Sequence, residues 1–285
     1  MNLIATRDEF RATIKDLYTQ NESDYYFKMI LTSLFGINPI AIALEPNLIL
    51  KSDQLEKLET IKTELLAEKP LQYILGEVSF RTVELKVNPL VLIPRPETEE
   101  LVGWILEDFA QLEREMTVLD LGTGSGCIAL ALKKEQPLFK VNALDLDQAI
   151  LELVVVNAKL NGQEINCIQG DITAPDKIKL NVDIIVSNPP YISYQEKIEL
   201  KKNVLEYEPH QALFVPQGDP LLFYRNILVF AAQNLNSNGR IYFEINPLFE
   251  EEMETLIFSF DCYTITKRLD IFGKIRMLRL EKIKS

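Results

Sequence analysis

The chain has 285 residues, 47% apolar and 25% charged, with 30 basic against 42 acidic side chains and a formal charge of −12. This is the composition of a folded protein long enough for two domains. No apolar run nears the roughly 18 residues that span a bilayer, and the surplus of acid on both sides of residue 80 counts against duplex nucleic acid as a partner.

The first ten residues hold Arg7, Asp8 and Glu9 and lack the apolar stretch of a secretion signal. Three scattered cysteines and a single histidine, His210, argue against a disulfide framework, a cysteine zinc site or a pair of histidine ligands. A cytoplasmic protein with no metal is expected. Residues 1–76 read as a small helical bundle. Phe10, Ile14, Leu17 and Tyr18 recur at helical spacing, as do Tyr26, Met29, Ile30 and Leu34, then Leu55, Leu58, Ile61, Leu65 and Leu66. Pro39, Pro46 and Pro70 punctuate these segments, and no catalytic cluster falls among them. Over 77–96 the period becomes two: Val83, Leu85 and Val87 alternate with polar residues, and Asn88-Pro89 turns toward Val91-Leu92-Ile93. That predicts a β-hairpin acting as a linker.

The third region, 97–285, opens with a helix near 101–109. Strands are expected near 118–121, 141–144, 165–168, 182–187, 241–245, 262–268 and 275–281. Helices are expected between them near 128–132, 150–160, 196–206, 219–235 and 248–258. Such alternation builds a doubly wound α/β domain.

The motifs fall at strand ends. Asp120-Leu121-Gly122-Thr123-Gly124-Ser125-Gly126 places three of the chain's 11 glycines between a strand and a helix, where backbone N–H groups can approach a ligand. Cys127 breaks the dinucleotide pattern, and no Gly-Lys-Ser/Thr follows to make a phosphate loop. Asp145 ends the next strand, where a carboxylate can accept both ribose hydroxyls of a nucleoside. Asp147 shares its face, so spacing alone does not separate the two. Gly170-Asp171-Ile172 follows the third strand. Ile184-Ile185-Val186-Ser187 then runs into Asn188-Pro189-Pro190-Tyr191. Neither proline has an N–H, so this backbone offers acceptors, and Asn188 adds a side-chain carbonyl. Two acceptors can hold a planar –NH2 group while Tyr191 stacks on its face. That suits transfer to a poor nitrogen nucleophile, which gains more from orientation than from a strong base.

The glycine motif resembles motif I of the class I S-adenosylmethionine methyltransferases. Together with Asn-Pro-Pro-Tyr it resembles the enzymes that methylate planar nitrogens. Three further stretches narrow the resemblance: Pro70 to Gly76, Leu92 to Glu99, and Tyr207 to Leu213, read as YEPHQAL. With these the chain is similar, over about 70–280, to the HemK/PrmC family of protein-(glutamine-N5) methyltransferases. The resemblance implies a Rossmann-like seven-stranded sheet with the last strand antiparallel, behind an N-terminal helical substrate-recognition domain. It implies S-adenosylmethionine, leaving as S-adenosylhomocysteine, held by Asp120, Gly122, Thr123, Gly124, Ser125, Gly126, Asp145, Asp171, Ile172 and Asn188. The substrate implied is the glutamine of the Gly-Gly-Gln loop of peptide chain release factors. Asn188, Pro189 and Tyr191 would be catalytic, and Pro190, Arg95 and Glu97 would join them in binding it. Rival readings are a ribosomal-protein glutamine, an N6-adenine or N4-cytosine in nucleic acid, and a non-enzymatic S-adenosylmethionine-binding protein. One departure stands out. Family members often carry glycine just after the acidic end of the fifth strand, where this chain reads Glu244-Ile245-Asn246-Pro247-Leu248.

Overall fold

The computed structural model describes residues 1–45 and 47–283. Pro46, one of the punctuating prolines, and the last two residues of the region expected over 97–285 lie outside these. In chain order the helices are α1 (Leu3–Ile14), α2 (Gln20–Phe35), α3 (Ala41–Leu44), α4 (Ser52–Leu66), α5 (Leu71–Leu75), α6 (Pro96–Asp108), α7 (Cys127–Glu135), α8 (Gln148–Leu160), α9 (Lys202–Tyr207), α10 (His210–Leu213), α11 (Leu222–Asn234) and α12 (Glu250–Phe258). The strands are β1 (Glu77–Phe80), β2 (Val83–Lys86), β3 (Met116–Leu121), β4 (Phe139–Asp145), β5 (Asn166–Gln169), β6 (Val182–Ser187), β7 (Leu235–Glu244), β8 (Tyr263–Leu269) and β9 (Ile275–Lys282). Among the described residues no helix is long and apolar enough to cross a membrane.

Two compact units result. The first comprises Met1–Glu77 with Lys201–Tyr207, so α9 belongs to the helical unit although its sequence lies deep in the α/β region. Phe10, Ile14, Phe27, Ile30, Leu31, Leu58, Ile61 and Leu65 form its core. The helical stripe places most of these inside, while Leu17 and Leu66 end up about half exposed. Two caps define the first helices: Asn2 accepts from Ala5 N, and Thr19 and Glu22 exchange hydrogen bonds as a capping box. Lys62 is buried in this unit, its Nζ 2.7 Å from Glu9 and 2.6 Å from Glu59. The α9 helix is tied in by the Tyr207 hydroxyl, which donates to Ala67 O at 2.8 Å.

The second unit holds a seven-stranded sheet in the order β5-β4-β3-β6-β7-β9-β8. β9 runs antiparallel to both β7 and β8, and the other pairings are parallel. β6 is buried along its whole length, which is why it reads as an unbroken apolar run. Its Ile184 and Val186 face a core completed by α6, α7 and α8; Ile185 faces a second core completed by α11 and α12. Chain order along the sheet reverses between β3 and β6. Open α/β folds bind ligands at such a reversal, beyond the carboxyl ends of the strands.

The hairpin differs from expectation. It joins β1 to β2 through Arg81 and Thr82, and Arg81 adopts a left-handed φ of 48°. Asn88 instead nucleates a tight turn, its side chain accepting from Leu90 N and its carbonyl from Val91 N. Val91 and Ile93 are buried but make no strand. Phe80, Val83 and Leu85 belong to the first sheet core, so the hairpin packs as part of the second unit. Asn157 on α8 fastens it. Its Oδ1 accepts from Lys86 N at 2.7 Å, and its Nδ2 donates to Lys86 O at 3.0 Å and to Ser125 O at 2.9 Å. Asn157 is fully buried, so Asn157→Ala removes these three hydrogen bonds from a site closed to water. The expected cost is about 3 kcal/mol, read as a lower urea midpoint at unchanged m. An unchanged midpoint would mean that other contacts hold the hairpin.

Candidate active site

The ends of β3, β4 and β6 meet at one cavity of about 640 Å3. At the end of β3 the chain turns back beneath β4, with Gly122 N and Thr123 N both donating to Leu144 O at 2.9 and 3.0 Å. Gly122 and Gly124 have φ of 72° and 54°, and the space where a Cβ would stand is empty at each. This bare, left-handed backbone explains the glycines and brings the main chain to the cavity wall. Asp120 stands behind it rather than on the wall. Its Oδ2 accepts from the Thr123 hydroxyl at 2.6 Å, which fixes the loop. Full burial pushes its carboxyl up to about 7, against the lowering effect of that hydrogen bond.

Gly122, Thr123, Gly124, Ser125, Asp145, Asp171 and Ile172 all line the cavity. Asp145 Oδ2 accepts from Gly124 N at 3.0 Å, clamping the loop to the end of β4. Burial raises its pKa, while hydrogen bonds from Gly124, Asp147 and Leu146 pull the other way. Asp147 is the N-cap of α8, accepting from Ala149 N at 2.8 Å. Asp171 is engaged locally, its Oδ1 accepting from Thr173 N and the Thr173 hydroxyl.

On the far wall stand Asn188, Pro189 and Pro190, carried by β6, whose last residue, Ser187, donates through Oγ to Leu121 O at 2.7 Å. Arg95 and Thr98 join them from the start of α6. Tyr191 and Glu97 are not part of the wall. The Tyr191 ring packs against the second sheet core and its hydroxyl donates to Glu244 Oε1 at 3.2 Å. Tyr194, stacked on Phe214 with ring centres 5.1 Å apart, lines the cavity instead.

Three distant stretches of chain meet here. Arg95 donates to Glu208 Oε1 at 2.5 Å and Ile93 N to Glu208 Oε2 at 3.3 Å. Ile192 pairs with Phe214 in an isolated parallel bridge, with Ile192 N donating to Leu213 O and Val215 N to Ile192 O. Arg95 is thus a structural tie as well as a wall residue, and its Glu208 partner is almost wholly buried.

Behind Asn188 lies a group to which the motifs gave no role. Glu244, at the end of β7, is 1% exposed. Its Oε2 accepts from the Thr98 hydroxyl at 2.6 Å, and Thr98 Oγ1 accepts from Asn188 Nδ2 at 3.1 Å. Burial raises the Glu244 pKa, opposed by the Thr98 and Tyr191 hydrogen bonds and by Arg276 nearby. A carboxylate at the inner end of a buried strand was the available signal. Asn246, where relatives often have glycine, sits at φ −76° and ψ 118°, a conformation open to any residue. Its side chain donates to Glu196 Oε1 at 2.9 Å and accepts from Leu248 N at 3.1 Å. The missing glycine therefore leaves no strain. Among the described residues no group of three or more His, Cys, Asp or Glu is placed to hold a metal ion.

Comparison with known proteins agrees with this geometry. Residues 7–76 match the family model described as the PrmC N-terminal domain, and residues 103–213 the one described as the methyltransferase small domain. The chain is 41% identical over 276 residues to the release factor glutamine methyltransferase of Flavobacterium psychrophilum, covering 96% of this chain and 97% of that protein. It is 38% identical over 269 residues to the protein of the same name from Bacteroides thetaiotaomicron, covering 94% and 96%. Among solved structures, a methyltransferase from Pyrococcus furiosus shares the fold, with a TM-score of 0.52 at 16% identity over 82% of this chain and 100% of that one.

Proposed function

This chain belongs to the family of release factor glutamine methyltransferases, and we propose from that premise how its residues carry out the reaction. The reaction moves a methyl group onto the side-chain amide nitrogen of a release-factor glutamine; a C–N bond forms, a C–S bond breaks, and one amide proton leaves to water. The observation that carries the assignment is the meeting of the glycine loop and Asn188-Pro189-Pro190 across one cavity.

The residues present fit S-adenosylmethionine as the donor. Gly122 and Gly124 leave open space in front of the backbone, Asp145 supplies an acceptor carboxylate beside it, and Asp171 and Ile172 form a further stretch of wall. Asp145 would take the ribose hydroxyls, the 122–126 backbone the amino-acid end, and Asp171 with Ile172 the adenine. When bound, that cofactor supplies a methyl group on a positively charged sulfur.

On the opposite wall, Asn188 Oδ1 and the Pro189 carbonyl would accept the two N–H groups of the glutamine amide. Held so, the amide plane is fixed and its nitrogen face turns toward the methyl group. Amide nitrogen is a weak nucleophile, so orientation supplies most of the acceleration. Tyr191 serves by anchoring the turn to Glu244, and Arg95 by tying the mouth to Glu208. The helical unit, matched by the family's N-terminal domain, would grip the body of the release factor.

The test is transfer of labelled methyl from S-adenosylmethionine to a purified release factor, beside a release factor whose Gly-Gly-Gln glutamine is alanine. Label on the first alone is the expected result. Label on neither, with label appearing on ribosomal proteins, would overturn the choice of substrate.

A further inference from the structure

The stretch between Arg95 and Glu99 contributes more than a wall. We propose that Thr98 is a positioning residue: held by Glu244, it sets which way round the Asn188 amide stands, so that Oδ1 rather than the NH2 group faces the substrate. The inference rests on the assignment of Asn188 to the substrate amide.

The argument is one of donors and acceptors. An ionised Glu244 only accepts. The Thr98 hydroxyl has one proton, which goes to Glu244 Oε2 at 2.6 Å. Thr98 Oγ1 is then left with lone pairs alone, and it must accept from Asn188 at 3.1 Å. The NH2 end of Asn188 is therefore turned toward Thr98, and the carbonyl end toward the opposite side, into the cavity. An asparagine amide is otherwise nearly symmetric in shape, and a flipped amide would present two donors to a substrate –NH2 group, which needs acceptors. Thr98 is 2% exposed and Glu244 1%, so water is not at hand to replace either bond. The second Glu244 oxygen is occupied by the Tyr191 hydroxyl at 3.2 Å. Both ends of the Asn-Pro-Pro-Tyr turn thereby hang on one buried carboxylate. Tyr224 extends the network by donating to Glu244 O at 2.8 Å.

Thr98→Val keeps the branched shape and removes the hydroxyl. It is expected to lower kcat by about 10- to 100-fold, as small misplacements of a substrate-holding group do. The KM for the release factor and the Kd for S-adenosylmethionine should stay within about threefold, since most contacts to both remain. Thr98→Ser restores the hydroxyl and is expected to recover kcat to within about threefold of wild type. Thr98→Ala, measured beside these, lacks the hydroxyl without the valine's second methyl and should be as slow as Thr98→Val; a wild-type kcat in Thr98→Ala would trace the valine's loss to packing and overturn the inference. A wild-type kcat in both Thr98→Val and Thr98→Ala overturns the inference. So does a Thr98→Ser protein as slow as Thr98→Val, because then the loss follows packing rather than the hydroxyl. Asn188→Ala separates the two levels. Full turnover in that variant removes the substrate assignment itself, whereas an inactive Asn188→Ala beside a fully active Thr98→Val removes the positioning role alone.

Discussion

Asn188→Ala is expected to lower turnover by at least about 1,000-fold, or about 4 kcal/mol of transition-state stabilisation, while the Kd for S-adenosylmethionine stays within about threefold. Asn188 stands just past the end of β6, across the cavity from the glycine loop, and its side chain donates to Thr98 on α6. Alanine removes the side-chain acceptor for the substrate amide and leaves the Pro189 carbonyl as a single point of attachment. With one bond the amide can rotate, and its nitrogen face is no longer held toward the methyl group. The loss should appear in kcat, since the release factor is a large ligand whose affinity depends on many other contacts. The measurement is single-turnover methyl transfer beside equilibrium binding of the cofactor. Turnover within tenfold of wild type would mean that something other than Asn188 orients the amide.

The parts of this site differ in how well the sequence announces them. The glycine loop and Asn-Pro-Pro-Tyr are local: each needs a backbone shape that only glycine or proline supplies, and each abuts a strand that reads as apolar because it is buried on both faces. The sheet is legible for the same reason, from β3 through β9, with boundaries displaced by a few residues. What the sequence does not reveal is the pairing of groups that lie far apart along the chain. Thr98 and Glu244 are 146 residues apart and Arg95 and Glu208 113 apart, and nothing in either neighbourhood reveals its mate. Tyr191 makes the same point: an aromatic ring beside a polar motif reads as a stacking surface, and nothing local shows that its hydroxyl also donates to a buried carboxylate 53 residues away. The hairpin is misplaced because Asn88-Pro89 is the stronger turn signal, whereas the actual turn uses Arg81 at a positive φ with no glycine to mark it. The helix expected over 196–206 divides because Ser193 and Glu196 cap a short 3-10 segment over 194–199, after which Leu200 is extended. Beyond that break the chain enters α9, which folds with the helical unit.

Asp145 and Asp147, which spacing does not separate, are expected to part on substitution. Asp145→Ala should weaken S-adenosylmethionine binding by about 30- to 100-fold, the worth of about 2–3 kcal/mol for hydrogen bonds to a charged acceptor. The carboxylate lines the cavity and also receives Gly124 N, so its removal takes away both the ribose acceptor and a clamp on the loop. Asp147→Ala should instead cost about 1 kcal/mol of stability, because it caps α8 through Ala149 N, with cofactor affinity changed by less than about threefold. The two thus move different quantities, one a binding isotherm and the other an unfolding midpoint. Acidity supplies a second readout. Burial raises the Asp145 pKa, and only the ionised form accepts from both hydroxyls. Affinity should therefore be full above that raised pKa and fall as pH drops through it, by up to about tenfold per unit below. Asp145→Asn, which cannot ionise, should bind weakly at all pH values and lose this dependence. A wild-type affinity in Asp145→Ala, or an acid limb that survives in Asp145→Asn, would place the ribose on another group. Since Asp147 is tied to the start of α8 and exposed, a fall in affinity confined to Asp147→Ala would identify that group as the acceptor.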